Sequence, residues 1–220
     1  MMRLLNKSKI FLTTIILSTS VLFNASVFAV EKDCNHPAVV TVKGMVDEIL
    51  EDLKGQLKKD GKIDKKDVNA LINSKLVPKA DLNTTAALVL ANHWKRLNPQ
   101  QQARFIDEFS KQMIRTYGVA FEAYDGETVD FDCRVKKLPG KVVERVEVGS
   151  KINHNKAPSN QVGFRLLNKN NNWYVYDLII DNISIGNSYR TVYLPKFSSA
   201  RTPAQINQRL DQMKSTKVSR

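Results

Sequence analysis

Few residues in this chain are of a type that does chemistry, and their spacing favours structure over catalysis. Cys34 and Cys133 are the only cysteines among 220 residues, too few for a four-thiolate zinc site. The only histidines are His36, His93 and His154, and none has a second histidine, a cysteine or a carboxylate at metal-ligand spacing. We therefore expect no metal site and interpret each histidine as structural.

Motifs that signal catalysis or nucleotide binding are missing as well. The sequence contains no glycine-rich phosphate loop, no G-x-S-x-G elbow and no H-E-x-x-H pair. Its carboxylates are scattered, and its basic residues are not interleaved with aromatic ones as in a platform for single-stranded nucleic acid. The sequence therefore predicts no catalytic residue, although a site that the fold assembles from distant residues stays open.

The N-terminus has the order of a secretory signal peptide. Three basic residues precede an uncharged, mainly apolar stretch at 10–23, and Val27-Phe28-Ala29 places small residues at the −3 and −1 positions. An uncleaved membrane anchor is the alternative, but the stretch is short of the roughly 20 residues that span a bilayer. We predict a signal peptide at 1–29 and a mature chain that begins near Val30 outside the cytoplasm.

Charge and cysteine usage agree with an exported protein. The formal net charge is +12, from 34 basic and 22 acidic residues, and removal of the three basic residues within 1–29 leaves +9. Outside the cytoplasm, such a charge favours anionic membrane surfaces or acidic proteins as partners over nucleic acid, or simply serves solubility. An oxidising compartment permits a bond between Cys34 and Cys133, and two independent buried thiols are the alternative.

The hydrophobic period changes along the chain from that of helices to that of strands. Apolar spacings of three and four predict four helices that begin near Pro37, Asp64, Asp81 and Asn98, the last with a capping box to Gln101. An alternating pattern then predicts four antiparallel strands, and two helices follow, one ending at Pro195 and one opening at Thr202-Pro203. We predict an α+β fold of one compact unit, with a helical part at 30–126 and the sheet with the C-terminal helices at 127–220.

Aromatic and apolar side chains are concentrated on two of these elements. One face of the fourth helix carries Phe105, Phe109, Met113, Tyr117 and Phe121. The last strand is predicted to present, on one face, Tyr174, Tyr176, Leu178 and Ile180. Such surfaces form either an ordinary core or the lining of a cavity for an apolar ligand, and both interpretations stay open.

Two motif groups resemble a known family. The first combines Trp94 with Asn98-Pro99-Gln100-Gln101-Gln102 and Thr116-Tyr117-Gly118, and the second joins Trp173-Tyr174-Val175-Tyr176-Asp177 to Ser188-Tyr189-Arg190. In order and spacing they resemble the MlaC or toluene-tolerance family, the phospholipid-binding component of the maintenance-of-lipid-asymmetry (Mla) pathway. The resemblance covers nearly the whole mature chain.

The resemblance implies a lipid carrier. Its fold would be a helical subdomain packed on an NTF2-like curved antiparallel sheet, with the acyl chains of a glycerophospholipid buried between them. A monomeric, non-enzymatic periplasmic protein would carry this ligand, without another cofactor, between an outer-membrane lipoprotein–porin complex and an inner-membrane ABC transporter. Transient membrane contact, and no contact with nucleic acid, would be expected.

Combining the resemblance with the apolar pattern gives a set of expected lining residues. They are Leu88, Phe105, Phe109, Met113, Tyr117, Phe121, Val142, Val146, Phe164, Leu166, Tyr174, Tyr176 and Val192. Asp177 and Arg190 are expected to pair with each other, with contact between Arg190 and a lipid head group as the alternative. Two rival functions are an enzyme for a small apolar substrate, with Tyr117 or Asp177 as acid or base, and a periplasmic chaperone.

Overall fold

A six-stranded antiparallel sheet forms one layer of the molecule. The computed structural model describes residues 30–140 and 142–214, so the predicted signal peptide at 1–29 lies outside the described residues. The strands are neighbours in chain order. They are β1 Val30–Lys32, β2 Thr128–Leu138, β3 Arg145–Asn153, β4 Asn160–Lys169, β5 Asn172–Ile180 and β6 Ile183–Ser184. The α+β prediction is confirmed; the four long strands were expected, whereas the two short outer strands were not.

Six α-helices, joined in places by shorter helical turns, make up the rest of the described chain. The α-helices are α1 Pro37–Asp60, α2 Lys65–Leu71, α3 Leu82–Leu90, α4 Pro99–Glu122, α5 Ile185–Ser198 and α6 Pro203–Met213. Helix α2 continues into a π-helical turn, Ile72–Leu76, and a 3₁₀ turn links α3 to α4. Helix α5 does not stop at Pro195 as predicted, because a proline in the last turn removes only one backbone hydrogen bond.

Side-chain caps explain where several helices begin. The Asn98 side chain accepts from the Gln101 backbone N–H at 2.9 Å, and the Gln101 side chain accepts from the Asn98 N–H at 3.1 Å, so the predicted capping box is confirmed. The Gln101 amide also donates to the Pro203 carbonyl at 3.2 Å. The same residue therefore starts α4 and ties it to α6.

The apolar interior is divided into two cores. In the first, which we call the sheet core, α1 covers one face of the sheet: Val42 and Ile49 pack with strand residues such as Val148. In the second, the helical core, α3, α4, α5 and α6 surround a cluster of aromatic rings. Leu178 on β5 contacts both cores, so β5 is the strand at which the two layers meet.

A disulfide bond fastens α1 to the sheet. Cys34, just before α1, is bonded to Cys133 on β2, which decides between the alternatives that the sequence left open. Cys133 has a left-handed backbone (φ 55°) where the β2–β3 register shifts, and its carbonyl accepts from the Asp33 N–H at 2.9 Å. The start of α1 is thus held against β2 by a covalent bond and a hydrogen bond.

We expect that removing this bond destabilises the protein strongly. The two cysteines are 99 residues apart, and a closed loop of that size contributes about 4.7 kcal/mol in the chain-entropy model. Urea unfolding of the Cys34→Ala/Cys133→Ala variant should show this loss, and dithiothreitol should destabilise the native protein but not the variant. Equal midpoints for the native protein and the variant would contradict the bond.

Two exposed glycines in α1 make a second stability test. At Gly44 and Gly55 no atom lies within 4 Å of the position that a Cβ would occupy. Because glycine costs a helix interior about 0.5–1 kcal/mol relative to alanine, Gly44→Ala and Gly55→Ala should each raise the free energy of unfolding by that amount. Gly61→Ala is the matched control: Gly61 ends α1 with φ 68°, so alanine there should lower stability.

Candidate functional site

A set of apolar side chains packs against the two cores: Phe121 against the sheet core, Leu178 against both, and the others against the helical core. We call it the seam. Its members are all half-buried and come from α4, β5 and α5: Met113, Tyr117, Phe121, Leu178, Ile180 and Val192. Five of the six were singled out from the sequence as aromatic or apolar surface on the fourth helix and the last strand, and Val192 was among the expected lining residues.

Other expected lining residues belong to the cores. Phe105 and Phe109 lie in the helical core, where Phe109 meets the Tyr189 ring edge-on at 5.1 Å between centroids and Phe105 meets Phe197 at 5.5 Å. The sheet core contains three more, all buried: Val146, Phe164 and Leu166. Leu88 on α3 is half-buried against Gly186, where an added Cβ would collide with its Cδ2.

Val142 was expected to line the interior and does not. It lies in the connection between β2 and β3 and is 94% exposed. The prediction is wrong because β3 begins only at Arg145, so the alternating pattern that placed Val142 on a strand had not yet started.

The predicted common face of β5 is also wrong, because the strand is irregular in its middle. Leu166 pairs with Val175, and Arg165 pairs with Asp177, which leaves Tyr176 as an extra residue without an opposite partner. Its ring lies 5.5 Å from the guanidinium of Arg145 rather than in either apolar core. Burial raises the pKa of Tyr176, although the charge of Arg145 opposes this shift.

Tyr174, the other aromatic residue expected on that face, is half-buried and pairs in register with Leu167 of β4. Among the described residues, Tyr174 is a member of neither the sheet core nor the helical core. Leu178 and Ile180 are therefore the two members of the predicted face that reach the seam.

Asp177 is the most completely buried carboxylate near the seam, and its partner is not the predicted one. Its side chain is 0% exposed. The two carboxylate oxygens accept hydrogen bonds from the Arg165 guanidinium at 3.2 Å, from the Ser184 hydroxyl at 2.6 Å and from the Gly186 N–H at 2.8 Å. Arg165 takes the role predicted for Arg190 because it is the direct neighbour of Asp177 in the β4–β5 register. A head-group contact by Arg190 stays a prediction.

A second carboxylate fixes α3 at the edge of β5. Asp81 accepts from the Thr84 N–H at 3.0 Å and from the Lys169 ammonium, and its own backbone N–H donates to the Val175 carbonyl at 2.8 Å. Burial would raise the pKa of Asp81, but the hydrogen bonds from Lys169 and Thr84 outweigh it and hold the pKa below its ordinary value. The carboxylate is therefore charged under all but acidic conditions.

Two buried tyrosines of α5 are the titratable groups of the helical core with raised pKa values. Burial raises the pKa of Tyr193 to about 12 and also raises that of Tyr189, so both phenols are neutral near pH 7. Within residues 30–140 and 142–214, no three His, Cys, Asp or Glu side chains are grouped so that they could hold a metal ion. No helix in that part of the chain is long and apolar enough to cross a membrane.

A cavity of about 280 Å³ with mixed polar and apolar walls lies on the other face of the sheet. Its walls include Arg134, Lys136, Glu147 and Gln161. Because two acyl chains need a larger and mainly apolar space, we do not associate this cavity with the seam.

The chain thus combines an antiparallel sheet with a helical layer in an α+β fold, with half-buried apolar side chains on α4, β5 and α5. Residues 43–214 match the family model described as MlaC protein. Since this match spans most of the chain, the protein belongs to the MlaC family.

Two relatives agree with this assignment. The toluene tolerance protein ttg2D of Pseudomonas putida is 27% identical over 150 residues, which are 68% of this chain and 67% of that protein. A solved phospholipid-binding protein from Ralstonia solanacearum, in complex with a phospholipid, is 27% identical with a TM-score of 0.68. The structural match covers 81% of this chain and 97% of the solved one.

A double-mutant cycle tests the partner of Asp177. Leaving a buried charge without its partner costs about 3–5 kcal/mol, so Arg165→Met should destabilise by about that much. Asp177→Asn should destabilise less, because Arg165 is partly exposed and keeps Glu147 at 3.0 Å. The two effects should be non-additive in urea unfolding. The cycle of Asp177→Asn with Arg190→Met is the control and should be additive within about 0.5 kcal/mol. Coupling to Arg190 instead would restore the pairing expected from the sequence.

Proposed function

We propose that this protein is a periplasmic carrier that holds a glycerophospholipid with its acyl chains at the seam. The observation that carries the proposal is the solved relative from Ralstonia solanacearum, which contains a phospholipid and matches this chain over 97% of its own length. Support from the chain itself comes from the seam, whose apolar side chains pack against the two cores and stay half-buried. The predicted signal peptide at 1–29 supports the location.

The physical need for such a carrier is large. Two acyl tails expose some thirty methylene groups to water, each at a cost of about 0.8 kcal/mol. A protein lowers this cost by covering the tails, and it needs no reacting group to do so. A seam that supplies apolar contacts therefore matches the task, and head groups of different chemistry would be tolerated.

The family resemblance extends the proposal to the partners. The lipid would pass between an outer-membrane lipoprotein–porin complex and an inner-membrane ABC transporter, with transient membrane contact and a monomeric carrier. Asp177 takes no acid or base role in this proposal, because its oxygens are enclosed by Arg165, Ser184 and Gly186.

Co-purification of lipid is the direct test. Protein purified without detergent should contain about one or more phospholipids per chain, detected by solvent extraction and mass spectrometry. Leu178→Glu should abolish the lipid, because a charge at the junction of the two cores cannot be buried beside acyl chains without a large desolvation cost. The seam is the right place for this change; Leu166 and Val146 are completely buried in the sheet core, where glutamate would unfold the protein.

Val142→Glu is the matched control, since the same kind of change at a 94% exposed position should leave the lipid content unchanged. Circular dichroism must show that Leu178→Glu is folded; if it is not, Ile180→Trp, which fills the seam without adding charge, replaces it. A folded native protein that is empty and takes up no lipid from vesicles would contradict the proposal, and selective binding of unfolded peptides would favour a chaperone instead.

A further inference from the structure

Lysines are concentrated where α1 ends and α2 begins. Residues 54–66 contain six lysines against two aspartates, a local net charge of +4. All six are exposed. We call this surface the lysine corner, and it consists of Lys54, Lys58, Lys59, Lys62, Lys65 and Lys66.

Most of these charges have no carboxylate partner. Lys62 pairs with Asp64 at 2.8 Å, and the other five form no ion pair with any residue of the described chain. Elsewhere on the same helical hairpin, lysines are paired: Lys43 with Asp47 at 2.6 Å and Lys75 with Glu48 at 3.2 Å. The positive charge of the corner is thus available to an external partner.

Helix stability does not account for this arrangement. Lys58 and Lys59 suit the carboxyl end of α1, but Lys65 and Lys66 occupy the first turn of α2, where the helix dipole disfavours positive charge. Asp64, at the N-cap position of α2, makes no capping hydrogen bond with its side chain and is bonded to Lys62 instead. Charges that oppose local stability are expected at functional surfaces.

The corner is anchored to the sheet core, and α2, which begins in the corner, packs on α4. Ile63, in the middle of the corner, is buried in the sheet core. One turn after Lys65, Val68 packs on α4 at Gly118, where an added Cβ would be 3.6 Å from the Val68 Cγ1. Gly118 follows Tyr117 of the seam directly, so the helix that begins at the corner packs on the helix that carries part of the seam.

The chemistry of the corner fits a diffuse anionic surface better than a shaped protein interface. It contains only lysine as its cation and no aromatic residue, whereas protein interfaces are enriched in arginine and aromatic residues and depleted in lysine. Its exposed surface includes no large hydrophobic side chain. Clusters of four to eight basic residues of this kind bind anionic lipid bilayers. We propose that the lysine corner docks the protein on an anionic phospholipid surface during lipid exchange.

Vesicle binding tests the proposal. Purified protein is floated with phosphatidylcholine vesicles that contain either no phosphatidylglycerol or one quarter of it, at low and at high salt. Two variants with the same change in charge are compared. The corner variant is Lys58→Gln/Lys59→Gln/Lys65→Gln/Lys66→Gln, and the control, at exposed lysines elsewhere that form no ion pair in the described chain, is Lys95→Gln/Lys136→Gln/Lys137→Gln/Lys151→Gln.

The native protein should bind the anionic vesicles, release from them at high salt, and bind the neutral vesicles weakly. The corner variant should lose about tenfold or more of its partition coefficient, and the control about twofold or less. Equal losses in the two variants would overturn the proposal, because net charge rather than the corner would then explain binding. The native protein could instead fail to bind anionic vesicles and be retained on immobilised polyglutamate through the corner lysines. That result would also overturn the proposal and would indicate an acidic protein as the partner of the corner.

Docking on a membrane serves lipid exchange only if the protein is a lipid carrier, so the inference rests on the proposed function in that respect. The experiments can contradict the docking surface and the carrier separately. Extracted lipid is measured on the same samples, and both variants should retain it because neither changes the seam. An empty native protein that still binds anionic vesicles through the corner would contradict the carrier and leave the docking surface standing.

Discussion

The structure depends on a buried carboxylate, that of Asp177, which needs hydrogen bonds from three separate parts of the chain. Asp177 is removed from water, and an ionised side chain in that position costs several kcal/mol unless hydrogen bonds replace its hydration. Arg165 on β4, Ser184 on β6 and the Gly186 N–H at the start of α5 supply them. The same three bonds fix the point at which the chain leaves the sheet and enters the helical core, and the position of α5 along the seam follows from it.

Helix starts could be predicted from the sequence because the residues that cap a helix lie within a few positions of one another. The start of α4 is specified by Asn98, Pro99 and Gln101 within four residues, and the structure shows the capping box that they predict. The partner of Asp177 could not be predicted in this way. It depends on the β4–β5 register and on the irregularity between Arg165 and Leu166, which arise from pairing across strands and leave no periodic signal in either strand alone.

The candidate site shows the same limit on a larger scale. In the sequence, Phe105 through Phe121 form one apolar stripe along α4, but its burial differs along the helix. Phe105 and Phe109 are buried on Phe197 and Tyr189 of α5, whereas Tyr117, which also meets the Tyr189 ring, and Phe121 are half-buried. Whether an apolar side chain is core or lining depends on the elements that cover it, and periodicity does not identify them. The same is true of charge, since the net value of +9 for the predicted mature chain did not indicate the lysine corner.

The apolar interior is divided into two cores, and the side chains of the seam stay half-buried against them. If the cores merged, the seam would gain about 25 cal/mol for each Å² that it buried. Each core is instead packed on its own, the helical one by aromatic rings in edge-on contact and the sheet core by α1 under its disulfide. The polar bonds of Asp81 and Asp177 then hold the layers in a fixed relation through β5. Hydrogen bonds, which are directional, thus fix the position of the helices relative to the sheet, which the non-directional hydrophobic effect would not fix by itself.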